Sequence, residues 1–181
     1  MKWKEALLAV SLATGIASAT TLAPVAETTA SAKALSKKDI ATYKNGSVPG
    51  AKFKVGATYK QLKAKKLQAN YGIVYDNVIS YEFLKGTLKN SDKVKVVTKE
   101  NVSVKAKDLQ NAFGKPIVAK NVDYYEVPDV PQKVFKAGKY YILYGMTYEM
   151  EAGPAQHIHV GSKASIEKKA KEFYNWKLKI K

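Results

Sequence analysis

The chain contains no cysteine among its 181 residues. That excludes a disulfide framework, thiol chemistry, a cysteine-based zinc site and the lipid-modified cysteine of a lipoprotein. Arginine is missing too, so all 31 basic residues are lysine. Lysine is a compact, strongly hydrated point charge without the planar fork that reads guanine edges or clamps phosphate bidentately. Its monopoly argues against sequence-specific DNA or RNA recognition. Acidic residues are few, 15 in all, leaving a net charge of +16. Histidine and tryptophan occur twice each.

The opening residues form an export leader. Lys2 and Lys4 make a short basic start, and Ala6 to Ala19 is an unbroken run of apolar or small residues carrying Leu7, Leu8, Val10, Leu12 and Ile16. This is the order of a secretory signal peptide, and the run is short for a membrane span. Two small-x-small cleavage sites follow, Ala17-Ser18-Ala19 and Ala30-Ser31-Ala32. Pro24 breaks the helix ahead of the second, which places cleavage between Ala32 and Lys33. The mature domain is then expected outside a Gram-positive style cell, free or wall-associated, with no membrane anchor after cleavage.

Removing the leader takes away Lys2, Lys4, Glu5 and Glu27 and leaves the charge at +16. The partner this implies is a diffuse polyanion, and outside such a cell the abundant polyanion is the anionic wall polymer teichoic acid. Surface lysine also keeps a domain soluble, so charge alone names no partner. A mature chain of about 150 residues suits one domain, or two half-domains sharing a core, and is read as a monomer.

Local signals predict α+β structure, an antiparallel sheet with helices packed on one face. Ser36 and Asp39 cap a short helix over about 33–45, and Thr58 with Gln61 caps another running to about Gln68. Between them Phe53 and Val55 alternate with lysine as in an edge strand. From Ile73 to Leu84 the period is two, with Ile73, Tyr75, Ile79, Tyr81 and Phe83 on one face and a turn possible at Asp76-Asn77; Lys93 to Thr98 is a further strand. Ser103 caps a helix carrying Ala106, Leu109 and Phe113, closed by Gly114 and Pro116. Strands follow at Ile117 to Val127 and Lys133 to Phe135. A long one begins at Gly138, with Tyr140, Ile142, Tyr144, Met146, Tyr148 and Met150 on its core face. Gly153-Pro154 turns the chain into His157-Ile158-His159-Val160, and Ser165 to about Trp176 is a closing helix.

Gly46-Ser47-Val48-Pro49-Gly50, then Phe53 and Gly56 before a helix, then Leu109-Gln110-Asn111-Ala112-Phe113-Gly114-Lys115-Pro116 ahead of a tyrosine-rich and a histidine-containing strand, resemble the YjgB-like family of secreted Bacillus-type proteins. The resemblance spans about 46–161, and the family has no known function. It implies two tandem helix-plus-strands halves, about 46–100 and 101–161, similar to beta-lactamase-inhibitor-like and outer-membrane assembly lipoprotein modules. That would be a non-enzymatic binding architecture. The first helix lacks the Gly-x-Pro ending of the second, and the lysine-rich helix of 162–181 is foreign to the pattern, so no functional residue is carried over.

His157 and His159 share a strand face by their spacing of two and could share a metal ion, but lack a third ligand unless Glu149, Glu151 or Asp123 supplies one. No metal or cofactor is therefore assigned. Among the 12 tyrosines, Tyr124, Tyr125 and Tyr141 fall where alternation leaves rings free to stack on glycans or partner loops. Tyr75, Tyr81, Tyr140, Tyr144 and Tyr148 fall in the core. No serine lies in Gly-x-Ser-x-Gly; Ser165 with Lys168 is a bare Ser-x-x-Lys at a helix start, and Glu149 with Glu151 is a chance-level pair of acids. The reading is a secreted, non-catalytic binding domain on anionic wall polymer or an extracellular protein, with Tyr124, Tyr125, Tyr141, His157 and His159 as candidate contacts. The alternatives are a proteinaceous inhibitor of an extracellular enzyme and, further off, a metal-dependent hydrolase.

Overall fold

Capping residues and positive-φ turns divide the chain into its elements. The computed structural model describes residues 34–124, 127–149 and 153–181. The expected leader with its expected cleavage residues Ala32 and Lys33, and Tyr125, lie outside the described residues. Helix α1 (Lys37–Lys44) starts at Ser36, whose hydroxyl accepts the Asp39 N–H at 3.1 Å while the Asp39 carboxylate accepts the Ser36 N–H at 3.2 Å. Helix α2 (Tyr59–Lys63) has the same reciprocal cap between Thr58 and Gln61. It stops well short of Gln68, because beyond Tyr59 and Leu62 its sequence offers lysines instead of an apolar stripe, and Lys66 turns to φ +54°.

Four short strands follow, β1 (Gln68–Asn70), β2 (Ile73–Asp76), β3 (Ile79–Glu82) and β4 (Val96–Lys99), then helix α3 (Ala106–Phe113). Four longer ones complete the sheet, β5 (Val118–Tyr124), β6 (Val127–Ala137), β7 (Tyr140–Glu149) and β8 (Gly153–Gly161), before helix α4 (Lys163–Tyr174). The eight strands form one open antiparallel sheet in the order β1-β2-β3-β4-β8-β7-β6-β5. Each group of four is a meander preceded by a helix. The last strands of the two meanders pair at the centre, Val96 opposite Gly161 and Lys99 opposite Ile158. The class is α+β, as the sequence predicts.

Several local expectations change. The stretch from Ile73 to Leu84 is a hairpin, with Asp76 opposite Ile79 across Asn77-Val78 and Asn77 at φ +55°. A two-residue turn shifts the parity of alternation, so Ile73 and Tyr75 lie on the face opposite Ile79, Tyr81 and Phe83. Tyr75 is 41% exposed instead of core. Phe53 and Val55 form no strand; they pack as loop residues against the core, with the Phe53 ring edge-on to Tyr81 at 5.6 Å. Lys105 occupies the N-cap position of α3, and its N–H is accepted by Asp108 at 3.0 Å, leaving Ser103 outside the helix. Gly153 and Pro154 open β8, and the helical pattern expected to Trp176 ends at Tyr174, where Asn175 turns to φ +47°.

The helices cover both faces of the sheet, not the single face that the sequence predicts, because α4 carries its own apolar stripe and packs opposite the other three. On one face α1, α2 and α3 set Tyr43, Leu62 and Leu109 against Val74, Tyr81, Val97, Phe135, Ile142, Ile158 and Val160. Full burial of a side chain such as Leu62 or Leu109 contributes about 1.5–3 kcal/mol. On the other face α4 sets Ile166, Ala170 and Tyr174 against Val122, Val134 and Leu143. The final residues extend this second core in strict alternation: Trp176, Leu178 and Ile180 are buried while Lys177, Lys179 and Lys181 are exposed. Strand β7 thus has core on both sides, with Ile142 and Leu143 both fully buried.

Candidate functional site

The parity that turns Tyr75 away from the first core also directs Glu82 of β3 toward α4, on the same face as Thr98 of β4, which lies opposite Ser80 and diagonal to Glu82, and as His159 of β8, which lies opposite Thr98. All three are buried, as are Ser80 and His157 on the same face. Helix α4 starts at Ser162, whose hydroxyl accepts the Ser165 N–H at 3.3 Å. Its i, i+4 spacing places Lys169 and Phe173 along one line, with Tyr174 beside them.

These groups form a directed hydrogen-bonded chain. Thr98 Oγ1 donates to Glu82 Oε1 at 2.6 Å and lies 2.8 Å from His159 Nδ1; His159 Nε2 lies 3.2 Å from the Tyr174 hydroxyl. The carboxylate only accepts, so the single threonine proton goes to Glu82. His159 must then donate from Nδ1 to Thr98, which leaves Nε2 to accept from Tyr174. Burial holds the pKa of His159 well below the usual histidine value, helped by the nearby Lys169 charge and by His157, so the ring is neutral with this tautomer. The other oxygen, Glu82 Oε2, accepts from Lys169 Nζ at 2.8 Å, with both side chains under 10% exposed. Lys169 also lies 4.2 Å from the centre of the Phe173 ring.

The Glu82–Lys169 pair forms the base of a cleft of about 310 Å³, bounded by Tyr71, Gly72, Ile73, Leu84, Lys85, Glu172 and Phe173. Tyr71 stands at its rim, 87% exposed and at φ +43°, and Gly72 follows at φ +80°. A two-residue hairpin turn with both φ positive usually takes asparagine, aspartate and glycine, so tyrosine here is a backbone outlier. The turn is fixed in place: Gly72 O accepts the Phe83 N–H at 3.0 Å, and any Cβ at Gly72 would collide with the Lys85 carbonyl.

A second depression, about 580 Å³, lies where the connection from β3 to β4 meets the start of α4. Lys85, Lys93, Lys95 and Lys168 line it over an apolar base that includes Val55, Phe83 and Val94. Lys93 and Lys95 alternate with buried Val94 and Val96 and are exposed. Lys85 pairs with Asp92 at 2.6 Å and Lys168 with Glu172 at 3.5 Å, both in solvent.

Comparison with solved structures adds a likeness of fold. The chain is similar to the crystal structure of YjgB, a DUF4309 family protein from Bacillus subtilis, with a TM-score of 0.48 and 12% sequence identity over 70% of this chain and 95% of that one. The likeness is a distant one of fold alone, and no residue role passes through it. No family profile and no curated protein matches the chain.

The candidate residues are scattered. His157 and His159 do share a face, their rings stacked at 6.2 Å and 15°, but they are 5% and 1% exposed and sit beneath Phe173 instead of on a surface. Both ring nitrogens of His159 are engaged by Thr98 and Tyr174. Among the described residues no three His, Asp or Glu side chains are placed to hold a metal. Asp123 lies on β5, three strands from β8, and accepts the Asp129 N–H at 3.3 Å; the Glu149 side chain and Glu151 lie outside the described residues. Tyr141 is half-buried against the second core instead of free. Tyr124 ends β5, its side chain outside the described residues. The sequence reading missed Glu82, Thr98, Lys169, Tyr174 and Tyr71. Only Tyr71-Gly72, a turn dipeptide between short alternating runs, carried a local signal.

Proposed function

We propose that the chain is a secreted, non-catalytic binding domain that associates with the cell envelope by taking anionic wall polymer into the groove of Lys85, Lys93, Lys95 and Lys168. The observation that supports this is the convergence of four lysines from three segments on one depression. Their ammonium groups attract phosphate without demanding the geometry that arginine imposes, which suits a flexible, repetitive polymer. Displaced counterions make such binding steeply salt-dependent: three phosphates neutralised predict roughly a twentyfold loss between about 50 and 200 mM salt. The engaged nitrogens of His159 favour this reading over a metal-dependent hydrolase.

The test is co-sedimentation with cell-wall sacculi, with and without teichoic acid, across a salt series, together with a Lys93→Gln/Lys95→Gln/Lys168→Gln variant. Binding should disappear with the polymer, weaken with salt, and fall about tenfold or more in the variant. Binding indifferent to all three would sink the proposal. A stoichiometric, salt-resistant complex with an extracellular enzyme would support the inhibitor reading in its place.

A further inference from the structure

We infer that the cleft between the β1–β2 hairpin and α4 is a binding site for an uncharged glycan, adjacent to the lysine groove and sharing Lys85 with it. The large apolar side chains exposed among the described residues are Tyr71, Tyr75, Val78, Ile117 and Phe173. Two of these, Tyr71 and Phe173, bound this cleft, and Tyr75 is on the same face of β2 as Ile73, which also bounds it. Sugar rings present apolar C–H faces that pack on aromatic rings and a perimeter of hydroxyls that need hydrogen-bond partners. The partners are at hand. Register places Gln68 opposite Tyr75 and Asn70 opposite Ile73, so both exposed amides share the platform, while the Glu82–Lys169 pair offers an acceptor and a donor at the base.

The local charge selects the class of ligand. On a domain of net charge +16, this cleft sets Glu82 and Glu172 against Lys85 and Lys169. A balanced site has no preference for the polyanion that the lysine groove attracts, and its volume of about 310 Å³ is at the small end for ligand sites, suited to one or two sugar rings. Preorganisation agrees. Tyr71 is held at an unfavourable positive φ by a turn that Gly72 locks onto the Phe83 and Lys85 backbone. Backbone outliers of this kind concentrate at ligand clamps. The ion pair is fixed in turn through Thr98 and His159, so the base of the cleft does not need to reorganise on binding.

The experiment is calorimetric titration of the protein with the N-acetylglucosamine tetramer and with cellotetraose at about 0.5 M salt, where exposed charge attraction is screened. At least one should bind. Tyr71→Asn, which removes the ring and suits a positive φ, and Tyr75→Ser should each weaken that binding about tenfold while leaving the melting temperature close to that of the parent. A Lys93→Gln/Lys95→Gln variant, which leaves every residue of the cleft and the Lys168 partner of Glu172 in place, should bind the sugar unchanged, so failure here is distinct from failure of the polymer proposal. No binding of either sugar, or binding unmoved by both tyrosine substitutions, overturns the inference.

Discussion

The two faces of the sheet are built from different materials. Under α1, α2 and α3 the interior is apolar and aromatic, with Leu62, Leu109, Phe135, Ile142 and Ile158 fully buried. Beneath α4, beside an apolar cluster of Val134, Leu143 and Ile166, runs a line of buried polar groups from Glu82 to Tyr174. The first face buries area without stranding polar atoms, which is the plain route to stability. The second does something that hydrophobic burial would do more cheaply, since a buried ion pair replaced by apolar residues is often neutral or stabilising. What the α4 face gains is a fixed arrangement of donors and acceptors at the base of an open cleft.

Substitutions on the two faces sharpen that contrast. Lys169→Ala leaves the Glu82 carboxylate buried without its counter-charge and should destabilise by about 3–5 kcal/mol. A Glu82→Leu/Lys169→Met double variant should recover most of that in chemical denaturation. If the single and double variants were equally unstable, the pair would matter for its volume and not its charge. Leu109→Ala on the apolar face should cost about 2–5 kcal/mol through a cavity. There no second substitution of opposite charge is involved, and a loss below about 1 kcal/mol would show that the first core is loosely packed.

The smallest effect expected is in pH dependence, and its sign follows from His159. The folded pKa is depressed, so the unfolded chain takes up a proton that the native state resists. The contribution is fully present above the ordinary histidine value of 6.5 and is lost as pH falls from there toward the folded pKa. Melting temperature should therefore decline on acidification below about pH 6.5, and His159→Gln should flatten the slope in that window. An identical slope in the variant would mean that His159 is not the group resisting protonation.

Local chemistry was legible at several positions where one residue acts on its neighbours, though not at Ser103, which lies outside α3. The caps at Ser36 and Thr58 form with the partners that their spacing names, and Gly114 closes α3 at φ +83°. The shared face of His157 and Tyr174's neighbour His159 follows from strand geometry alone. The face assignment of Tyr75 failed because two turn residues at Asn77-Val78 reverse the parity of all that precedes them. The expectation of a surface for the histidines failed because α4, remote in sequence, covers them. Exposure is a property of what packs against a strand, and a strand's own alternation does not report it.

By itself the sequence determined the α+β class, the capped helices, the strand-forming segments and a lysine-only basic charge. Each depends on contacts within a few residues or on composition, which folding does not alter. Only the tertiary structure decided that α4 occupies the second face, that Glu82 meets Lys169 and Thr98 meets His159, and that Tyr71 stands at the rim of the cleft that Glu82 and Lys169 line. Those contacts join residues as far apart as Glu82 and Lys169. Their pairing depends on sheet order, register and the packing of α4, and no single stretch of sequence carries that information.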